Sequence, residues 1–575
     1  MKRYPVTAAI LAAWLLTGSL TASCAASLVC EGILGNSGEQ GETLVRFAPA
    51  AASGLGVAYD RFGTLWDRGG DGTLNRYALD GRLLAQYPIA KGTGGWTQNN
   101  QLALAGEDVV LGLGGKLYKL PVTAPAGTAP TLLPVEAERL SAAAVEGKVA
   151  IARKGELFLL DVATGTTTPA GRYTGSPLWM ELGPDLAIYL CLEGKVRKFS
   201  DGAEVTTGWP KAAPGERGQL VRGHWYGHAW HGTIKRFTAE MESAPGVVLG
   251  GASGSFIGHL IQNSELVNGR GLAQLRDDLF AVSGMGGILH LVAWSPEKRQ
   301  MTIIRRLGCV PSCRALGLDR QGNVWYQVGN WTWSDGPEAP LINGVNGPEE
   351  IGQAVMLESD AMVAPGWLWG KPSFYSGALT GEVAAPRLES GCALARGTIA
   401  ATAYKNAQGR HVLLTLTKAG KGQAFLISPQ GQYQGEAGMV TLKTKMPVAE
   451  WTTLAMRDPE TLLGAGDGAV VEFARDGADW KETRRWATWG AGERFGGKIF
   501  LTADAGRLWI ADRERHRVIV FEAKSGAPLA TFGYADKAGN DLTALTAPEL
   551  LAARGDRAVV FDSGNQRLVK LVVRP

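Results

Sequence analysis

Seven histidines occur in 575 residues, and three of them crowd into His224-Trp-Tyr-Gly-His228-Ala-Trp-His231. Neutral imidazoles converging on one ion would make a metal site, with zinc the natural occupant. In an extended strand, however, alternation puts His224 and His228 on one face and His231 on the other. The reading favoured is structural or surface histidine. Cys309-Val-Pro-Ser-Cys313 is the next candidate. This pair is near enough to close a small disulfide loop in an oxidising compartment, whereas a metal would need further ligands that neither a second pair nor a nearby His supplies. Asp60-Arg-Phe-Gly63 and Asp319-Arg-Gln-Gly322 each offer one carboxylate, far short of the shell of six or more oxygens that calcium takes. Each reads as an Asp capping its own turn. No Gly-x-Ser-x-Gly elbow, phosphate-binding loop or His-Glu-x-x-His pair occurs. No catalytic residue is assigned and no cofactor is expected, with zinc or calcium as the alternatives.

Tryptophan, at 18 residues, is the remaining chemical oddity. Trp325, Trp331 and Trp333 fall within nine residues, and Trp367 and Trp369 follow. Exposed Trp offers flat apolar area with a polar edge, which suits a binding face. These five are the candidate binding residues, the competing role being packing between sheets.

The elements that must position these residues announce themselves through a repeat. Gly, any residue, a branched aliphatic, two residues and an aromatic or aliphatic recur as Gly115-Lys-Leu117-Tyr-Lys-Leu120, Gly155-Glu-Leu157-Phe-Leu-Leu160, Gly194-Lys-Val196-Arg-Lys-Phe199 and Gly468-Ala-Val470-Val-Glu-Phe473. Copies also begin at Gly72, Gly232 and Gly287. The glycine supplies the positive φ of a tight hairpin, and a strand follows it. First-strand anchors, from Gly56 through Val355, Ile399, Leu454 and Leu501 to Leu550, recur about every 45 residues, the period of a four-stranded propeller blade. The expectation is an all-β tandem β-propeller of about twelve four-stranded blades in two six-bladed rings, at 27–308 and 309–575. Thr43-Leu-Val-Arg-Phe47 is an unassigned strand-like run that could close a ring.

The resemblance becomes specific near the C-terminus, over 501–573. Ala511-Asp512-Arg-Glu-Arg-His-Arg517-Val-Ile-Val-Phe521 and Phe561-Asp562-Ser-Gly-Asn565-Gln-Arg567-Leu-Val resemble the NHL repeat, and good matches cover about a quarter of the chain. Asp512 with Arg517, and Asp562 with Arg567, bracket one hairpin each and can form a charge-assisted bond across it. The resemblance implies a non-enzymatic binding or scaffolding module. It also keeps open an exported metal-dependent lyase or hydrolase, since some NHL-like propellers hold a His-ligated metal in the channel. His224, His228, His259 and His290 would then be the ligands.

Lys2 and Arg3, the apolar run Ala8 to Leu20 and the small residues around Cys24-Ala-Ala26 read as a signal peptide over 1–26. Cys24 is an alternative site for a lipid anchor. Export to the periplasm, surface or medium is expected. No later run is long enough to cross a bilayer, and a net charge of +4 without a basic stripe argues against nucleic acid. The partner expected is a protein or glycan of the cell envelope.

Overall fold

The computed structural model describes the chain from Ala26 to Pro575 except for 36–55, 69–72, 80–82, 90–101, 214–216, 229–233, 250–270, 277, 284–288, 296–299, 308–309, 311, 329–330, 337–339, 347–352, 369–370, 379–386 and 391. Among the described residues there is no α-helix, and no helix is long and apolar enough to cross a membrane. The strands form small antiparallel meanders of four, compatible with a propeller-like fold. In two places adjacent meanders join at their outer strands through short parallel pairings, Val248 with Gln300 and Leu442 with Trp480.

The inner strands of the meanders at 451–486 and 499–533 are covered on both faces and read as near-continuous apolar runs, while outer strands such as Thr131–Glu136 alternate between buried and exposed. In the sheet of Ile499–Asp504, Arg507–Asp512, Arg517–Glu522 and Pro528–Gly533, Leu508, Ile510, Ile519 and Phe521 pack against Ala455, Leu463 and Val470 of the preceding sheet. Trp509, Ala511, Val518 and Val520 pack against Leu551, Ala558 and Val560 of the following one. Interdigitation of whole faces holds neighbours in register, and each fully buried aliphatic or aromatic side chain contributes about 1.5–3 kcal/mol.

The hairpins explain the glycine repeat. Lys154 and Gly155 have φ of 51° and 82°, Glu193 and Gly194 have 51° and 75°, and Asp467 and Gly468 have 48° and 67°. Two consecutive positive φ values define the two-residue turn whose twist matches the flanking strands. Gly468 is constrained twice over, because a Cβ there would lie 2.3 Å from the Gly496 carbonyl oxygen. Gly477 shares its φ of 67° but a Cβ there would meet nothing within 4 Å. Gly468→Ala is therefore expected to cost about 3 kcal/mol and Gly477→Ala about 1 kcal/mol. Equal losses in denaturant unfolding would show that the contact with Gly496 is immaterial.

The last sheet is completed from the other end of the chain. Ser27–Gly35 pairs antiparallel with Arg567–Arg574, Ser27 opposite Arg574 and Gly35 opposite Arg567. Residues 43–47, the expected closing strand, lie outside the described residues. The assignment of 27–35 to the first ring is corrected: this strand packs Leu28 into the cluster of Trp509, Val560 and Leu571.

Candidate functional site

The first strands of successive meanders stand side by side. Thr398–Lys405 neighbours Trp451–Asp458, which neighbours Ile499–Asp504, which neighbours Pro548–Arg554. Ala401, Ala455, Ala503 and Ala553 of these strands are small and are among the residues that line one cavity. Near their beginnings the strands are tied by side chains. Gln353 Oε1 accepts from Leu454 N at 2.9 Å and Thr453 Oγ1 accepts from Leu501 N at 2.7 Å. Near their ends the chain turns polar, and a cavity of about 260 Å³ opens there between Met356, Tyr404, His411, Met456, Asp504 and Arg554.

Arg554 organises this mouth. Its Nη2 donates to Asp360 Oδ1 at 2.7 Å and to Leu357 O at 2.8 Å, bridging to a turn 194 residues away. Its Nη1 lies 3.7 Å from Asp504 Oδ1, beyond hydrogen-bond reach, while Asp504 Oδ2 accepts from Gly555 N at 2.6 Å. Its Nε is buried with no partner. Behind it Arg320 donates to Glu358 O at 2.8 Å and lies 3.6 Å from Asp360 Oδ2. Lys405 Nζ pairs with Glu358 at 2.8 Å, and this hydrogen bond and charge hold the Glu358 carboxyl below its ordinary range. Burial pushes the Tyr404 hydroxyl up. The mouth thus presents fixed donors and acceptors with charges compensated in pairs.

Neither Arg554 nor Asp504 is singled out by the sequence. The signal available was a charged residue shortly after a counted anchor, Asp504 after Leu501 and Arg554 after Leu550.

The residues that the sequence does single out are scattered. Arg567 Nε donates to Asp562 Oδ2 at 2.7 Å, and its Nη groups donate to the carbonyls of Asn540, Asp541 and Ala544. Arg517 Nε donates to Asp512 Oδ2 at 3.2 Å, and Gly496 N donates to Asp512 Oδ1. Each pair faces across its hairpin and pins a neighbouring loop. Asp60 accepts from Phe62 N, Thr64 N, the Thr64 hydroxyl and Trp66 Nε1, and Asp319 accepts from both nitrogens of Asn323. Both carboxylates are committed to neighbouring groups of the chain, Asp60 also to Arg76 Nη2 at 3.2 Å.

Trp325 is 0% exposed, between Gly317 and Ser334 of the adjacent strands. Its candidacy for a binding face is corrected, since a side chain enclosed between sheets offers a partner no area. Trp331 and Trp333 lie on the strand Trp331–Asp335. Trp367 is half-buried beneath the Arg396 guanidinium, 4.9 Å from its ring, and Trp369 lies outside the described residues.

His224 is exposed beside a turn, His228 is on the same strand, and His290 is on Leu289–Ser295 of the next meander. His259 lies outside the described residues. Among the described residues no three His, Cys, Asp or Glu side chains are grouped to hold a metal ion. Cys313 is a buried free thiol donating to Ala315 O, with its pKa pushed up to about 12 by burial. Cys309, its possible disulfide partner, lies outside the described residues. No protein-family model matches the chain, and no curated protein matches it.

Proposed function

We propose that this chain is an exported NHL-like β-propeller protein acting as a binding or scaffolding module in the cell envelope or outside the cell, with about twelve blades in two six-bladed rings. Two contacts support the ring count. Val57–Tyr59 sits beside both Leu102–Ala105 and Gly271–Arg276, and Leu316–Leu318 sits beside Pro548–Arg554. Val57, Leu65 and Tyr77 share a core with Leu275, Leu279 and Leu291. Leu316, Val324 and Tyr326 share one with Ala552, Val559 and Phe561.

The observation that carries the binding reading is the mouth at Arg554. Arg554 and Asp504 are held by hydrogen bonds at the ends of packed strands, so a partner meets them at a small ordering cost. Co-sedimentation of the purified chain with isolated cell envelopes tests it. Saturable binding, competed by unlabelled chain and weakened at least tenfold in the charge-reversed rim variant Arg320→Glu/Lys405→Glu, is expected. Binding that does not saturate, or that ignores the rim variant, would remove the assignment.

A further inference from the structure

We propose that the cavity at Arg554 takes a small neutral polyhydroxylated molecule, such as a single sugar unit; this rests on the binding-module reading above and names its ligand. The argument starts from the 3.7 Å gap between Arg554 Nη1 and Asp504 Oδ1. The guanidinium nitrogen can only donate and the carboxylate oxygen can only accept. A hydroxyl placed between them accepts from Nη1 and donates to Oδ1 through one oxygen. A carboxylate or sulfate could satisfy Nη1 alone, and would then face Asp504, Glu358 and Asp360. An ammonium could satisfy Oδ1 alone, against Arg554 and Lys405. Compensated pairs therefore discriminate against ions of either sign and favour a neutral donor-acceptor group.

Water can bridge such a gap too, so a ligand must gain elsewhere. The same cavity offers that gain. Thr402 and Thr502 are among its lining residues, with Met356, Met456 and the alanines as an adaptable apolar part of the wall. A sugar ring has this dual character, with hydroxyls at its rim and CH groups on its face. A cavity of about 260 Å³ lies just below the usual size of drug-sized ligand sites, which suits one ring rather than a chain.

Calorimetric titration of the full chain with glucose, galactose, mannose and N-acetylglucosamine, beside acetate, sulfate and methylammonium, tests the proposal. At least one neutral sugar is expected to bind at one site, and the three ions at least tenfold more weakly. Met456→Trp, which adds bulk to the cavity wall from a partly buried position, should weaken that sugar at least tenfold with little change in thermal midpoint. Arg554→Lys, which keeps the charge but loses the fork, should do the same if it folds. Binding of no sugar, preference for an ion, or sugar binding indifferent to Met456→Trp overturns the proposal. Envelope binding that persists without any sugar binding would sink this inference alone. Sugar binding without envelope binding would sink the envelope reading alone.

Discussion

Arg567→Met is expected to destabilise the protein by about 3–5 kcal/mol, the cost of leaving a buried carboxylate without its counter-ion. The side chains of Arg567 and Asp562 are 1% and 0% exposed. Arg567 also supplies donors to three carbonyls of the 540–544 loop, so the substitution orphans acceptors as well as a charge. Burial pushes the Asp562 carboxyl up while Arg567 opposes it, and without Arg567 the raised value prevails. A carboxyl raised in the folded state costs nothing when both states are protonated. The deficit should therefore be full at neutral pH and shrink as pH falls towards the ordinary carboxylate range near about 4. The double variant Asp562→Leu/Arg567→Met, which removes both charges, should recover part of the loss. Denaturant unfolding of the three proteins at two pH values checks this. A single-variant loss below about 1 kcal/mol, or one that grows on acidification, would contradict the pairing.

Deleting residues 1–35 should destabilise the last sheet on the order of 5 kcal/mol relative to a chain beginning at Ala26. That strand contributes eight paired residues and packs Leu28 and Ile33 against the core of Val560, Val569 and Leu571, about 1.5–3 kcal/mol for each such side chain fully buried. Its loss also leaves Arg567–Arg574 as an open edge able to recruit another chain. Hydrogen exchange should show protection falling at 548–574 while 139–172 keeps its own. Uniform protection in the truncated chain would mean that the strand is dispensable.

How much was legible depended on the range of the interaction. The turn glycines and the Asp562–Arg567 pair are local: the pair is five residues apart, so the motif and the contact coincide. The all-β class followed from those turns. Ser27–Gly35 carries no clear sequence signal because Leu28-Val29 and Ile33-Leu34 are adjacent apolar pairs separated by Gly32, which departs from the period of two that marks a strand. Thr43 to Phe47 is the strand-like run that the sequence offers for closure, and it lies outside the described residues. Arg554 was invisible because a lone Arg at a strand end says nothing until Asp360, distant in sequence, is folded against it. Trp325 failed for a different reason: aromatic spacing shows that a face is apolar and leaves open whether another sheet covers it.

The register of the closing strand has a mechanical consequence. Ser27 lies opposite Arg574, with the pairing running inward to Gly35 and Arg567. Tension applied between residue 26 and Pro575 would load the outermost pair alone and then each next pair in turn, peeling the ladder like a zipper instead of shearing all its hydrogen bonds at once. The clasp that resists heat through cooperative packing should therefore yield at low force when pulled from its own ends.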